Sequence, residues 1–155
     1  MLGALVQLGS AACGGDPPVI PPQTCDPISD RNALIALYNS TNGANWINTW
    51  NLNQPMSMWY GVLLNEEGCV IRIDFDGVAD WGWSGFASGG NNLSGTIPPE
   101  LGNLNNLSSL LLGYNQLTGS IPYQLGDLAK LHALSLHSND LTGSIPHQLL
   151  SLIHI

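Results

Sequence analysis

The sequence predicts a solenoid, a stack of similar coils, closed at its N-terminal end by a helical cap. Three observations predict it. The segment Asn91-Asn92-Leu93-Ser94-Gly95-Thr96-Ile97-Pro98 returns as Asn115-Gln116-Leu117-Thr118-Gly119-Ser120-Ile121-Pro122, and again as Asn139-Asp140-Leu141-Thr142-Gly143-Ser144-Ile145-Pro146. The offset is 24 residues each time, and a fixed period of this size is the signature of stacked supersecondary units. Residues 70–76, VIRIDFD, alternate apolar with polar as a half-buried strand does. Residues 25–69 repeat nothing and are rich in tryptophan, which suits a lid over the apolar cross-section of the first coil.

The bulk composition agrees. A chain of 155 residues can bury a sizeable core. Only 9% of residues are charged, against 44% hydrophobic, 18 glycines and 10 prolines. Such a chain builds turns and buried ladders and draws its polar surface from Asn, Ser, Thr and Gln. Eleven acids stand against Arg31, Arg72 and Lys130, giving a net charge of −8. Too few cations remain to neutralise a phosphate backbone, so nucleic acid is excluded as a partner. No stretch reaches the roughly 18 apolar residues of a membrane span.

In chain order, residues 1–13 read as the tail of an export signal. Small residues before Cys13 are similar to the cleavage region of bacterial lipoproteins, so any membrane association is expected through a lipid anchor at Cys13. Residues 14–24 hold four prolines and two glycines and read as a semi-rigid tether. In the cap, residues 25–69, Ser29 or Asp30 can start a helix carrying Ala33, Leu34, Leu37 and Tyr38 at helical spacing, and Asn42-Gly43 stops it. Trp46, Trp50 and Trp59 are expected to pack as the lid; the competing reading is a carbohydrate-stacking platform. The repeats occupy residues 70–155. Ile73 and Phe75 match Leu110 and Leu112 of the next coil, but the asparagine due at position 78 first appears as Asn91, so 13 residues are inserted. The insertion, within residues 77–90, carries Trp81, Trp83 and Phe86. Leu152-Ile153-His154-Ile155 reads as the lead-in to another strand, and a longer natural protein is expected.

Aligned at the repeat offset, Ile97/Ile121/Ile145, Leu101/Leu125/Leu149, Leu104/Leu128/Leu152, Leu107/Leu131/Ile155, Leu110/Leu134 and Leu112/Leu136 form apolar columns. No coil buries its face alone, and stacking makes the core continuous. The column Asn91/Asn115/Asn139 follows each strand, where a buried amide can satisfy backbone groups of its own and neighbouring coils. Gly95/Gly119/Gly143 suits positive φ, and Pro98/Pro122/Pro146 fixes an extended stretch.

The pattern L-x-x-L-x-L-x-x-N-x-L-x-G-x-I-P, present in three copies over residues 91–155, resembles the plant-specific class of leucine-rich repeats. Residues 30–39, 42–46 and 59–62 look like the N-terminal cap of extracellular leucine-rich repeat proteins of bacteria and algae. Plant extracellular members have a similar cap closed by paired cysteines. The resemblance implies an α/β fold: a curved solenoid with a parallel sheet on its concave side and irregular or 3₁₀ structure on its convex side. Cys25 and Cys69 are then expected to form a disulfide closing the cap, which points to an oxidising compartment and a secreted or cell-surface protein.

Members of this family usually bind peptides, proteins or glycans on the concave face, so a non-enzymatic binding module is expected. Exposed strand positions of successive coils lie roughly 4.8 Å apart. The expected columns are Arg72–Ser109–Ala133, Asp74–Leu111–Ser135, Asp76–Gly113–His137 and Gly77–Tyr114–Ser138. The candidate ligand-binding residues are Arg72, Asp74, Asp76, Trp81, Trp83, Tyr114, Ser135 and His137. The alternative is a water-ordering, ice-binding surface on the hydroxyl columns Ser94/Thr118/Thr142 and Thr96/Ser120/Ser144. Catalysis is not expected, because the pattern places no nucleophile beside His132, His137, His147 or His154. The cysteine spacing fits no zinc motif, and Asp74-Phe75-Asp76-Gly77 lacks the closing glutamate of a calcium loop, so neither metal nor cofactor is expected.

Overall fold

A computed structural model describes residues 25–77 and 89–152. The cap opens with helix α1, Pro27–Ser40. Its N-cap is Asp26, whose side chain accepts from the Ile28 N–H at 3.0 Å. This corrects the expected start at Ser29 or Asp30. Proline at the first helical position needs no N–H partner and already has helical φ, so the helix begins as soon as Asp26 supplies the acceptor. Asp30 serves elsewhere: it is 1% exposed, and its Oδ2 accepts from Val70 N–H at 2.8 Å, tying α1 to the first coil. The N–H and Oγ1 of Thr41 both donate to the Leu37 carbonyl, and Asn42 turns the chain in left-handed conformation, φ 60°. The Cys25–Cys69 disulfide joins the start of the cap to its end, with Cα atoms 5.9 Å apart.

The three cap tryptophans are buried, between 3% and 4% exposed. Each indole N–H donates to a backbone carbonyl: Trp46 to Thr41 at 2.8 Å, Trp50 to Tyr60 at 2.9 Å and Trp59 to Asn51 at 3.0 Å. Trp50 stacks on Trp59 at 4.7 Å, and Trp46 and Trp50 lean on Phe75 of the first coil at 5.1 and 5.6 Å. Aromatic pairs of this kind contribute about 0.5–1.5 kcal/mol beyond their buried area. These rings are the lid; none presents a face to a sugar.

Strand β1 (Val62–Leu64) closes the cap and pairs antiparallel with β2 (Val70–Asp74). The repeats then supply β3 (Ser94–Thr96), β4 (Ser109–Leu111), β5 (Gln116–Gly119), β6 (Ala133–Ser135) and β7 (Asp140–Leu141). One sheet runs β1-β2-β4-β6, its last three strands parallel. Arg72 pairs with Ser109 and Ser109 with Ala133, while Asp74 pairs with Leu111 and Leu111 with Ser135. That register matches the 24-residue alignment. Opposite the strands, 3₁₀ helices Pro99–Asn103, Tyr123–Asp127 and His147–Leu152 stack along the other flank. Between them lies a second parallel sheet, β3-β5-β7, where irregular structure was expected. The stretches flanking each repeat glycine are extended, so their backbone groups pair from coil to coil, as in Gln116 N–H to Leu93 O at 2.8 Å. Gly95, at φ 117°, abuts the Ser40 carbonyl at the end of α1, a place no side chain can occupy.

Leu101, Leu104, Leu107, Leu110, Leu112, Leu125 and Leu128 are fully buried, so the leucine columns hold in the first coils. They open in the last, where Leu134 is 38% and Ile145 69% exposed.

The asparagine column binds the coils together. Asn115 Oδ1 accepts from the N–H groups of Asn91 and Leu93 at 2.9 and 3.0 Å. Its Nδ2 donates to the carbonyls of Leu112 and Gly113 in its own coil and of Phe75 in the coil before, at 2.9–3.1 Å. Asn139 repeats the pattern with Leu112, Leu136, His137 and Leu117. Asn91, in the first coil, has the cap where a preceding coil would be, and bonds to Asn48 there, accepting its N–H at 2.7 Å.

Removing Asn115 takes the side-chain partner from the N–H groups of Asn91 and Leu93 and the carbonyls of Phe75 and Gly113, while the Leu112 carbonyl keeps Asn139 Nδ2; each buried orphan costs about 1–3 kcal/mol. Asn115→Ala should therefore lower the unfolding free energy by at least about 3 kcal/mol in urea titration. Asn139→Ala, at a half-buried position, should cost less; equal losses would refute the ladder account. Burial pushes the Asp30 carboxyl above its usual 3.8, the Val70 N–H opposes this, and Asp26 adds to it. A raised folded-state value contributes stability below the unfolded value and loses it as pH rises through the folded value. The stability of Asp30→Asn relative to wild type should therefore increase as pH rises from 3.8 towards neutrality. A pH-independent difference between the two would overturn this assignment.

Candidate functional site

The concave sheet face begins in the cap, because β1 places Leu63 opposite Arg72. Leu63 is 52% exposed. Arg72 and Asp74 share this face two residues apart and form an ion pair, Nη2 to Oδ2 at 2.6 Å, with Nε of the arginine also donating at 3.1 Å. Both side chains are about one-fifth exposed, 22% and 20%, so the pair is partly desolvated. Asp76, expected on the same face, is buried at 6% exposure. Strand β2 ends at Asp74, so the alternation that would have pointed Asp76 outward stops before reaching it. The Tyr60 phenol lies near both carboxylates. Burial chiefly, then the charges of Asp74 and Asp76, push its pKa above the usual 10.0.

At the other end of the strands, the turns after β4 and β6 present Tyr114 and His137. Their rings meet edge to face at 4.6 Å and 88°. Tyr114 is 43% exposed and left-handed, φ 55°; Ser138, one coil on, has φ 53°. An aromatic residue in that conformation is strained by about 1–3 kcal/mol. Gly113 lets the two coils close up beneath these rings, since a Cβ there would lie 2.9 Å from Ser135 Oγ and 3.0 Å from His137 Nε2. Ser135 Oγ is buried and has no hydrogen-bond partner. His137 Nδ1 is 3.2 Å from Ser138 Oγ. Ser135 is therefore a neighbour of His137 without a hydrogen bond to it.

The structure thus gathers Arg72, Asp74, Ser135, Tyr114 and His137 along one sheet, with Asp76 beneath it. Trp81, Trp83, Phe86 and Cys13 lie outside the described residues. Leu63 and Tyr60 were missed by sequence reasoning; the only signal for Leu63 is the short apolar run Val62-Leu63-Leu64 between Gly61 and Asn65. On the second sheet, Ser94 pairs with Gln116, Thr96 with Thr118, and Thr118 with Asp140. The hydroxyl columns expected from the repeat alignment are therefore two residues out of lateral register, and an acid interrupts the row. Among the described residues no group of three or more His, Cys, Asp or Glu could hold a metal ion, and no helix is long and apolar enough to cross a membrane.

This architecture is a leucine-rich repeat solenoid. Residues 89–104, 106–128 and 130–152 match the family model described as Leucine Rich Repeat. No curated protein matches the chain. Among solved structures, the BIR2 ectodomain from Arabidopsis thaliana is similar at TM-score 0.63 and 27% identity, covering 79% of this chain and 62% of that one. The ectodomain of the plant membrane receptor kinase GASSHO1/SCHENGEN3 from Arabidopsis thaliana, solved in complex with Casparian strip integrity factor 2, is similar at TM-score 0.63 and 31% identity. That match covers 83% of this chain but 14% of the receptor chain. A plant ice-binding protein matches at TM-score 0.50 and 23% identity, over 84% of this chain and 46% of that one; at that identity it shows the fold alone.

The strain at Tyr114 has a measurable sign. Asparagine tolerates the left-handed region, so Tyr114→Asn relieves strain of about 1–3 kcal/mol while losing a ring contact of about 0.5–1.5 kcal/mol. Thermal unfolding of Tyr114→Asn should occur at or above the wild-type midpoint; a clear fall would show the tyrosine to be unstrained.

Proposed function

We propose that the chain is a non-enzymatic binding module whose concave face, from Leu63 and the Arg72–Asp74 pair to Tyr114 and His137, recognises a protein or peptide. The observation that carries this reading is Tyr114: a large aromatic side chain held half-exposed in a strained conformation in the turn that ends β4. A residue that only filled space would be relieved by Gly or Asn there, so the strain is compensated by something outside the free fold. Aromatic anchors of this kind dominate the energetics of interfaces. Two resemblances support the reading: the similar plant ectodomain solved with a bound factor, and a register that lines exposed side chains of successive coils in one surface. A glycan ligand is less well supported, because the cap tryptophans that could stack on a sugar are buried. The disulfide and the ectodomain resemblance support a secreted or cell-surface location; lipid attachment at Cys13 is a separate proposal.

The test uses the full chain and a panel of extracellular proteins and peptides, read by surface plasmon resonance. The combined variant Asp74→Ala, Tyr114→Ala, His137→Ala should keep its circular dichroism and weaken each wild-type partner by at least about 100-fold, the effect of losing two hot-spot residues. A partner that binds both proteins equally well contacts another surface and sinks the proposal.

A further inference from the structure

Every cation of this chain is engaged within it. Arg31 donates to the carbonyls of Leu52 at 2.5 Å and Gln54 at 3.2 Å and lies 4.6 Å over the Trp59 ring. Lys130 donates to Asn106 Oδ1. Arg72 is paired with Asp74. Against these stand 11 acids, of which Glu66, Glu100, Asp127 and Asp140 are exposed. An anionic partner would find a repulsive field and no cation to receive it, whereas a cation is attracted wherever it approaches. The field alone selects no place; the geometry of the concave face does.

There Leu111, on the same face as Asp74, precedes Gly113, Tyr114 and, one coil on, His137. The Tyr114 ring is half-exposed and fixed by its backbone and by the edge contact with His137, so its π system is available at low ordering cost. The imidazole is itself held in place, by the contact of Nδ1 with Ser138 Oγ and by its seat over Gly113. Asp74 is neutralised by Arg72 and Asp76 is buried, so the negative potential over this face comes from the net charge of the whole chain. We propose, resting on the concave-face reading above, that the partner presents an extended basic peptide segment. One lysine lays its aliphatic stem on Leu111 and its ammonium against the exposed part of the Tyr114 ring, beside His137. Cation–π attraction holds the head, and the acidic field sets the preference over neutral or acidic peptides.

The experiment compares three fluorescein-labelled octapeptides: alternating Lys and Ser, the same peptide with every lysine Nε-acetylated, and alternating Glu and Ser. Anisotropy is read against the full chain at 0.15 M NaCl, where exposed charges are screened beyond about 8 Å. The lysine peptide should bind at least tenfold more tightly than either of the others. Tyr114→Asn and His137→Ala should each weaken it about fivefold or more, while Glu100→Gln with Asp127→Asn, on the 3₁₀ flank, should change it less than twofold. Equal binding of the acetylated peptide overturns the proposal, as does equal loss in the flank variant, which would mark diffuse attraction to an acidic surface. Absence of lysine-peptide binding overturns it too. If the panel experiment above still finds concave-face partners in those cases, the binding-module reading survives and only the basic-segment chemistry falls.

Discussion

The carboxamide of Asn115 joins two coils in one move, and the remainder of the solenoid depends on bonds of that kind. Each coil turns sharply between the concave sheet and the second sheet, and the turn is buried because another coil lies on either side. A buried turn cannot leave its N–H and C=O groups to water. Only a side chain with both donor and acceptor can serve groups of its own coil and of the previous one, and asparagine is short enough to do so. The ladder explains why the cap is part of the stack rather than an appendage. Before the first coil, where no coil precedes, Asn48 of the cap meets Asn91, and Thr41 O receives the Ser94 N–H at the edge of the second sheet.

Much of this was legible, and the physical reason is repetition. A column of leucines or asparagines at constant offset can mean little but stacking, so the core and the concave register followed from alignment alone. What could not be read lies where no second copy exists for comparison. Asp26 caps α1 through a proline whose missing N–H disguises the start of the helix. Asp30 looks like a capping residue but turns inward to meet Val70, a partner 40 residues away that no local pattern announces. Strand β1 has three residues and no period. The second sheet escaped because its register differs by two residues from the repeat alignment, Ser94 meeting Gln116 rather than Thr118. Asp76 failed for a simpler reason: alternation is a property of strands, and β2 had already ended.

The candidate site shows the same division between repetition and exception. Turn positions 114 and 138 share a left-handed backbone, so the repeat geometry, not the side chain, demands that conformation. Serine accepts it with little penalty in a small residue. Tyrosine accepts it at higher cost, and gains a rigid, outward ring braced by His137. Rigidity of this kind lowers the ordering entropy of a later complex, which is how strain in a free protein becomes affinity in a bound one.

A scaffold held by amides and leucines has a further electrostatic consequence. Most proteins scatter opposite charges over their surface, and local fields largely cancel. Here the core, the ladder and both sheets need no ion pair, so evolution of the repeats imposes no demand for basic residues. The three that exist are engaged in packing: Arg31 on Trp59, Lys130 between coils at Asn106, Arg72 on Asp74. Asp26, Asp30 and Asp74 also serve the fold, but Glu66, Glu67, Glu100, Asp127 and Asp140 are exposed. The negative field is therefore weakly compensated over the whole molecule, and a single aromatic–imidazole pair suffices to turn a diffuse attraction into a located one. Affinity from the field and specificity from Tyr114 and His137 are separable in principle, because salt acts on the first and leaves ring contacts largely untouched.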